Sequence, residues 1–273
     1  MMYEAGFIGC GNIGSVLAAV AAKSVGGSHI MTADHNDYKV ERLRRDYGTV
    51  PASDKEVAAQ SRFIFLGVKP QVMHKAADEI WDVLSARKDH FVAVTMAAGL
   101  TIDTVGGMLG PWPIIRIMPN TPAVVGAGVM PYCVNDSVTE EDEADFLKLM
   151  APSGAIVKLD EKKIDVACAV SGCGPAFVCM FLEAMIDGAV RCGLPRKQAK
   201  LFALQTIEGT AKLALEMERD PAELRADVCS PGGSSLEGIA VMEERALRSA
   251  VIEAIRAAYH RTMELGKEAE EQC

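Results

Sequence analysis

Through its first half the chain alternates short strand-like runs with longer amphipathic stretches; its second half is patterned almost wholly at helical spacing. Tyr3 to Ile8 reads as a strand, and Val16 to Ala22, rich in Val and Ala, as part of the helix after it. His29 to Thr32, Phe63 to Val68, Phe91 to Thr95 and Ile114 to Met118 repeat the apolar run, each after a polar or helical stretch. Apolar runs spaced by helices predict a parallel sheet covered on both faces. Glu140-Glu141-Asp142-Glu143 reads as a charged helix start, and Ala155 to Leu159 as the strand that closes a first domain.

From Glu161 the period is helical to the end. Ser171-Gly172-Cys173-Gly174-Pro175 interrupts the first long helix, either to let helices approach closely or to form a substrate wall. Gly193-Leu194-Pro195 is a stop and restart, with Gly past the end of one helix and Pro as first residue of the next. That helix is expected to run to about Glu218, and Pro221 to open a short one. Ser230-Pro231 ends what precedes it, and Leu236, Ile239, Ala240, Met242 and Leu247 resume a helical period.

At 273 residues the chain has room for one large or two medium domains. Its 28 basic and 37 acidic residues leave a net charge of −9, which disfavours nucleic acid or an anionic membrane as main partner. The start enters strand-like sequence without a basic segment or cleavage site, so no export signal is expected. The uncharged run Val166 to Leu182 is slightly short for a membrane span and carries Ser171, Gly172, Gly174 and Pro175; a buried core helix is expected instead. Cysteines 10, 133, 168, 173, 179, 192, 229 and 273 form no C-x-x-C pair and no zinc-type spacing with histidine. No metal is expected, and free cysteines on apolar faces fit a reducing cytoplasm.

Ile8-Gly9-Cys10-Gly11-Asn12-Ile13-Gly14 carries G-x-G-x-x-G from a strand into a helix. In a dinucleotide-binding reading Gly9 makes the tight turn, Gly11 admits the pyrophosphate and Gly14 lets the helix pack on the strand. Asp34, 20 residues past Gly14, suits a ribose 2′-OH and leans the choice toward NADH. His35, Lys39, Arg42 and Arg44 can pair with a phosphate, and Asp34 reads equally as a turn or cap residue beside Asn36 and Asp37. The strand ends Gly67-Val68-Lys69-Pro70-Gln71, Thr95-Met96-Ala97-Ala98-Gly99 and Met118-Pro119-Asn120-Thr121-Pro122 are small and amide-rich. They suit a wall for a nicotinamide ring, with Val68, Lys69, Pro70, Ala97, Ala98 and Asn120 as its residues; taken singly, Lys69 also reads as a solvated lysine and Asn120 as a turn residue. Gly232-Gly233-Ser234-Ser235 is a glycine-lined turn into a helix start, whose amides can hold a carboxylate. Ser234 or Ser235 as a simple N-cap is the alternative.

The expected fold is therefore α/β: a Rossmann-like dinucleotide-binding domain over residues 1–160 and an all-helical domain over 161–273. Helices of this composition leave apolar faces that dimerisation would bury.

Over nearly its whole length the chain resembles the Δ1-pyrroline-5-carboxylate reductases. The resemblance rests on Phe7-Ile8-Gly9-x-Gly11-Asn12, Val68-Lys69-Pro70-Gln71, Ala97-Ala98-Gly99, Met118-Pro119-Asn120-Thr121-Pro122, Ser171-Gly172-x-Gly174-Pro175-Ala176 and Ser230-Pro231-Gly232-Gly233, in matching order and spacing. It implies hydride transfer from NADPH or NADH to a cyclic imine carboxylate, giving proline. It further implies a carboxylate held at Gly232, Gly233 and Ser234, with Glu161, Ser171 and Gly174 also at the substrate. Ser235 matches a family threonine and is the expected catalytic contact to the imine nitrogen, with Ser234 as a substitute. Asp54 falls on the adenosine side and adds negative charge. Family habit favours NADPH, dimers through the helical domain, and often decamers of five dimers. Cys173 and Phe177 stand where relatives carry serine and a frequent tyrosine. A β-hydroxyacid dehydrogenase is the rival enzyme, but no lysine lies between Lys163 and Lys197 to serve it. A dinucleotide-binding redox sensor is the non-catalytic rival, and it leaves the carboxylate turn idle.

Overall fold

The computed structural model describes residues 2–271; Cys273, counted above, lies outside the described residues. The strands are β1 (Tyr3–Ile8), β2 (Ile30–Ala33), β3 (Val50–Pro51), β4 (Ser61–Leu66), β5 (Val92–Thr95), β6 (Ile114–Ile117), β7 (Gly128–Val134) and β8 (Gly154–Lys158). The first helices are α1 (Asn12–Val25), α2 (Asp37–Tyr47), α3 (Asp54–Gln60), α4 (Met73–Ala86), α5 (Ile102–Leu109) and α6 (Glu140–Met150). They are followed by α7 (Glu161–Ser171), α8 (Gly174–Arg191), α9 (Arg196–Met217), α10 (Pro221–Asp227), α11 (Ser234–Glu244) and α12 (Leu247–Glu270).

The sheet order is β3-β2-β1-β4-β5-β6-β7-β8, parallel except where β6 meets β7. The sequence progression along this order reverses between β1 and β4, and in open α/β sheets the ligand crevice lies beyond the carboxyl ends at that point. Period-2 alternation gives the sheet two apolar faces. Phe7, Phe63 and Phe65 pack with Leu17 of α1 and Phe146 of α6, Phe7 stacking on Phe65 with centroids 4.4 Å apart. Ile8, Ile64 and Leu66 face the other way, onto Met73 and Ile80 of α4.

Strand β4 ends at Leu66, short of the expected Val68, because Gly67 is drawn against the first glycine turn. Its N–H donates to the Ile8 carbonyl at 2.7 Å, and a Cβ on Gly9 would lie 2.7 Å from the Gly67 oxygen. Two strands had no counterpart in the reading of the sequence. The brief β3 pairs with β2, and β7 contains Pro131, which interrupts a strand-like pattern.

Two compact units form: Met1–Pro175 with Ala257–Cys273, and Ala176–Arg256. Helix α7 belongs to the first unit, where it packs against β7 and buries Ile164 and Cys168 in the sheet's core. The end of α12 contributes Ala269 to the same core. The expectation of a buried core helix over Val166 to Leu182 holds for the α7 part alone. Along α8 only Ile186 is buried among the described residues, while Val178, Met180 and Phe181 are exposed. By length and composition Glu161–Arg191 is apolar enough to cross a membrane, and 17% of its apolar window is buried inside the chain. The second unit's own core is small, with Ile186, Ala199 and Ala203 at its centre. Gly193 takes a φ of +97°, as its role after a helix requires, while Pro195 stands one place earlier than expected, as the N-cap of α9.

Candidate active site

The first glycine turn is built by backbone contacts that leave no room for side chains. Gly9 has a φ of +92° and donates its N–H to the Ala33 carbonyl at 2.8 Å, tying the turn to the end of β2. A Cβ on Gly14 would run into the Gly9 carbonyl. Gly11 is different: a Cβ there would meet nothing within 4 Å among the described residues. It is the N-cap of α1, with no side-chain cap and no acidic residue in the first turn. Uncapped amides at a helix start, with open space before them, fit a pyrophosphate. Ile8 and Cys10 are buried, Ile13 packs on the core, and Asn12 is exposed at the first helical position. The Cys10 thiol is pushed up to about 12 by burial and by the Asp34 charge, so it is inert at neutral pH.

Asp34 closes the turn from the side. Its carboxylate accepts the Cys10 N–H at 2.8 Å and the Asn36 N–H at 2.9 Å, and Lys39 Nζ lies 3.2 Å from Oδ2. Burial alone raises its pKa, but the N–H bonds from Asn36 and Cys10, together with Lys39, outweigh this and hold it below the ordinary carboxylate value. The turn reading and the cofactor reading of Asp34 thus meet in one side chain. Asp54 opens α3 behind the Ser53–Glu56 capping box. Burial, then the negative Glu79 and Asp34, raise its pKa.

Beyond β4, a Cβ on Gly9 would come within 3.2 Å of the Val68 nitrogen, so this edge adjoins the glycine turn. Lys69 is exposed and Pro70 starts a short 3-10 turn. After β5, Ala97 is buried and Ala98 half-buried ahead of Gly99, whose φ is +79°. Asn120, expected at the nicotinamide, is buried in the loop after β6. Its Nδ2 donates to the Ser171 carbonyl at 3.0 Å and its Oδ1 accepts the Val129 N–H at 3.0 Å. A buried amide committed at both ends is a positioning residue, here joining α7 to the sheet.

Glu161 Oε1 accepts the Ile102 N–H at 2.6 Å, closing the start of α5, and lies 3.2 Å from an Arg116 nitrogen. Arg116 is 1% exposed and also pairs with Asp165 at 2.6 Å. Arg116 was missed from the sequence, although a lone arginine amid Ile114, Ile115, Ile117 and Met118 is itself a signal, since a buried charge needs partners. Ser171 spends its hydroxyl proton on the Ala167 carbonyl at 2.9 Å, and Gly174 faces open space.

In the helical unit, Gly232 has a φ of +70°, and a Cβ on Gly233 would lie 2.6 Å from Ser230 Oγ. The positive φ of Gly232 favours glycine, while a side chain at Gly233 would need the Ser230 hydroxyl to move. Gly233 is the N-cap of α11 and makes no side-chain cap. Ser234 and Ser235 are its first two residues and both are exposed. The simple N-cap alternative therefore gives way to a helix start whose hydroxyls are unused by capping.

Against known proteins, a family model described as pyrroline-5-carboxylate reductase dimerisation matches residues 161–265, and one described as NADP oxidoreductase coenzyme F420-dependent matches residues 4–98. The chain is 41% identical to the pyrroline-5-carboxylate reductase of Escherichia coli (strain K12) over 271 residues, 98% of this chain and 100% of that one. It is 36% identical to the pyrroline-5-carboxylate reductase of Synechocystis over 270 residues, again 98% and 100%. Its fold superposes on Plasmodium falciparum pyrroline carboxylate reductase with NADP bound at a TM-score of 0.87 and 29% identity, covering 97% of this chain and 100% of the other.

Proposed function

The chain belongs to the pyrroline-5-carboxylate reductases, and with that as premise we propose how its own residues reduce 1-pyrroline-5-carboxylate to L-proline using NADH or NADPH. The observation that carries the assignment of roles is the uncapped start of α11 behind the Gly232-Gly233 turn. Amides at a helix N-terminus attract a carboxylate, so Gly232, Gly233 and Ser234 receive that of the substrate. The Ser235 hydroxyl donates a hydrogen bond to the imine nitrogen, which draws electrons from the C=N carbon; the proton that the nitrogen gains as the bond is reduced comes from solvent, so the hydroxyl ends neutral. The bound nicotinamide supplies the hydride. Holding both reactants in place contributes a large part of the rate, since neither needs activation by a strong base.

The open Gly11 turn and the start of α1 hold the pyrophosphate, while Val68, Lys69, Pro70, Ala97 and Ala98 flank the nicotinamide. Family resemblance assigns Glu161, Ser171 and Gly174 to the substrate as well, with Glu161 Oε1 held by Ile102 and Arg116. Exposed apolar residues on α8 and α9, among them Phe181, Leu201 and Phe202, support a homodimer through the helical domain. Assembly of five such dimers follows family habit, and sedimentation of the purified protein tests it. Buried, unbridged Cys10, Cys133 and Cys168 suit the cytoplasm. The reaction is tested by mixing the protein with pyrroline-5-carboxylate and each reduced cofactor while following nicotinamide absorbance. Oxidation at the background rate with both would overturn it.

A further inference from the structure

The Asp34 carboxylate has about four acceptor positions, and four protein contacts fill them. Oδ1 takes the Asn36 N–H at 2.9 Å and Lys39 Nζ at 3.3 Å; Oδ2 takes the Cys10 N–H at 2.8 Å and the same Nζ at 3.2 Å. The side chain is only 3% exposed. Its two amide donors belong to the folded turns and cannot leave. Lys39 can: it stands on the first turn of α2, is 32% exposed, and reaches Asp34 along a flexible stem. A ribose 2′-OH needs an acceptor position that Lys39 holds. A 2′-phosphate would meet Asp34, with the carboxylates of Asp54 and Glu79 near by, against the Lys39 cation; the largely exposed His35 ring lies 3.4 Å from Oδ1.

We propose that Lys39 is a specificity-determining residue of the dinucleotide site. Paired with Asp34, it cancels the charge that would otherwise exclude NADPH. Swung away, it frees the carboxylate for the ribose hydroxyl of NADH or follows the 2′-phosphate of NADPH. One movable lysine thereby lets a chain with an acidic residue at this place accept both cofactors. The inference rests on the dinucleotide-binding part of the reading above, and on nothing at the substrate.

The test is the dissociation constant of NADH and of NADPH, measured by titration calorimetry without substrate, for the wild type and Lys39→Met at two salt concentrations. Losing one charge-assisted phosphate contact should weaken NADPH about tenfold, remove much of the salt dependence of its binding, and leave NADH unchanged or tighter. In Asp34→Asn, where Lys39 is released, the preference should move toward NADPH. An equal effect of Lys39→Met on both cofactors, or no effect on either, would overturn the proposal. Because no turnover is involved, a protein that binds as described but fails to reduce pyrroline-5-carboxylate refutes the functional reading and leaves this one standing.

Discussion

Gly99 and Gly266 meet backbone to backbone: a Cβ on Gly99 would lie 2.6 Å from the Gly266 nitrogen and 2.6 Å from the Thr262 carbonyl. The end of α12 is thereby seated on the loop that follows β5, the same loop that carries Ala97 and Ala98. The wall proposed for the nicotinamide is only as rigid as what stands behind it, and what stands behind this loop is the end of α12.

Replacing Gly266 by Ala should therefore cost stability, although Ala is the better helix former. Overpacking of a filled contact costs roughly 1–3 kcal/mol, against a helix-propensity gain of about 1 kcal/mol. Gly107→Ala in α5, where a Cβ meets nothing within 4 Å among the described residues, is the control and should stabilise. Thermal melts compare the two, and a weakened NADH Kd in the Gly266 variant would report the loop's displacement. Equal stabilisation by both substitutions would show that the α12 contact yields without cost.

The Arg116–Glu161–Asp165 cluster makes a second prediction. Arg116 Nε has no partner among the described residues, so the buried guanidinium relies on its two carboxylates. Arg116→Ala leaves Asp165 and Glu161 without their cation, and breaking a buried pair in this way costs about 3–5 kcal/mol. Arg116→Leu combined with Asp165→Leu should recover most of that loss, because it removes charge from both sides. Urea unfolding at fixed protein concentration checks both. A double variant no more stable than the single one would mean that the pair is specifically needed.

Much of this frame could be read along the chain, and the failures have physical causes. The Tyr3–Ile8 strand and its glycine turn were legible because alternation and G-x-G-x-x-G are both local. Strand β7 was not, since Pro131 breaks the pattern and its place is set by pairing with β6 and β8. The contacts of Asn120 were not legible, because its partners, Ser171 and Val129, are 51 and 9 residues away. For α8, apolar spacing marks a covered face but cannot say whether the cover comes from the same chain.

Acid should loosen the first unit partly through Asp142. Burial raises its pKa, but hydrogen bonds from Thr139 and the His90 contact at 2.8 Å outweigh this, so the folded value lies below the ordinary 3.8. A depressed folded pKa contributes stability that is complete above the unfolded value and disappears as pH falls through the folded one. Asp142→Asn should thus destabilise at neutral pH, and its deficit relative to wild type should shrink as pH drops below 3.8. Chemical unfolding across that range measures the difference, and a deficit constant with pH would assign Asp142 a packing role only.

Ser235 carries the sharpest prediction, because two structural facts leave its hydroxyl available. Gly233 takes the N-cap position of α11 and makes no side-chain cap, and Ser235 is exposed at the second helical position. If the hydroxyl donates a hydrogen bond to the imine nitrogen, Ser235→Ala should lower kcat by about 10²-fold, the lower end for a positioned hydrogen-bond donor. Helix formation should be undisturbed, since Ala is favourable there. The Kd for NADH should also stay unchanged, because no part of the dinucleotide turn is touched. Ser235→Thr keeps the hydroxyl and narrows its rotamers, so it should hold or raise kcat. Loss of dinucleotide binding in the Ala variant would place Ser235 at the cofactor instead, and unchanged kcat would move the imine contact to Ser234, which Ser234→Ala then tests directly.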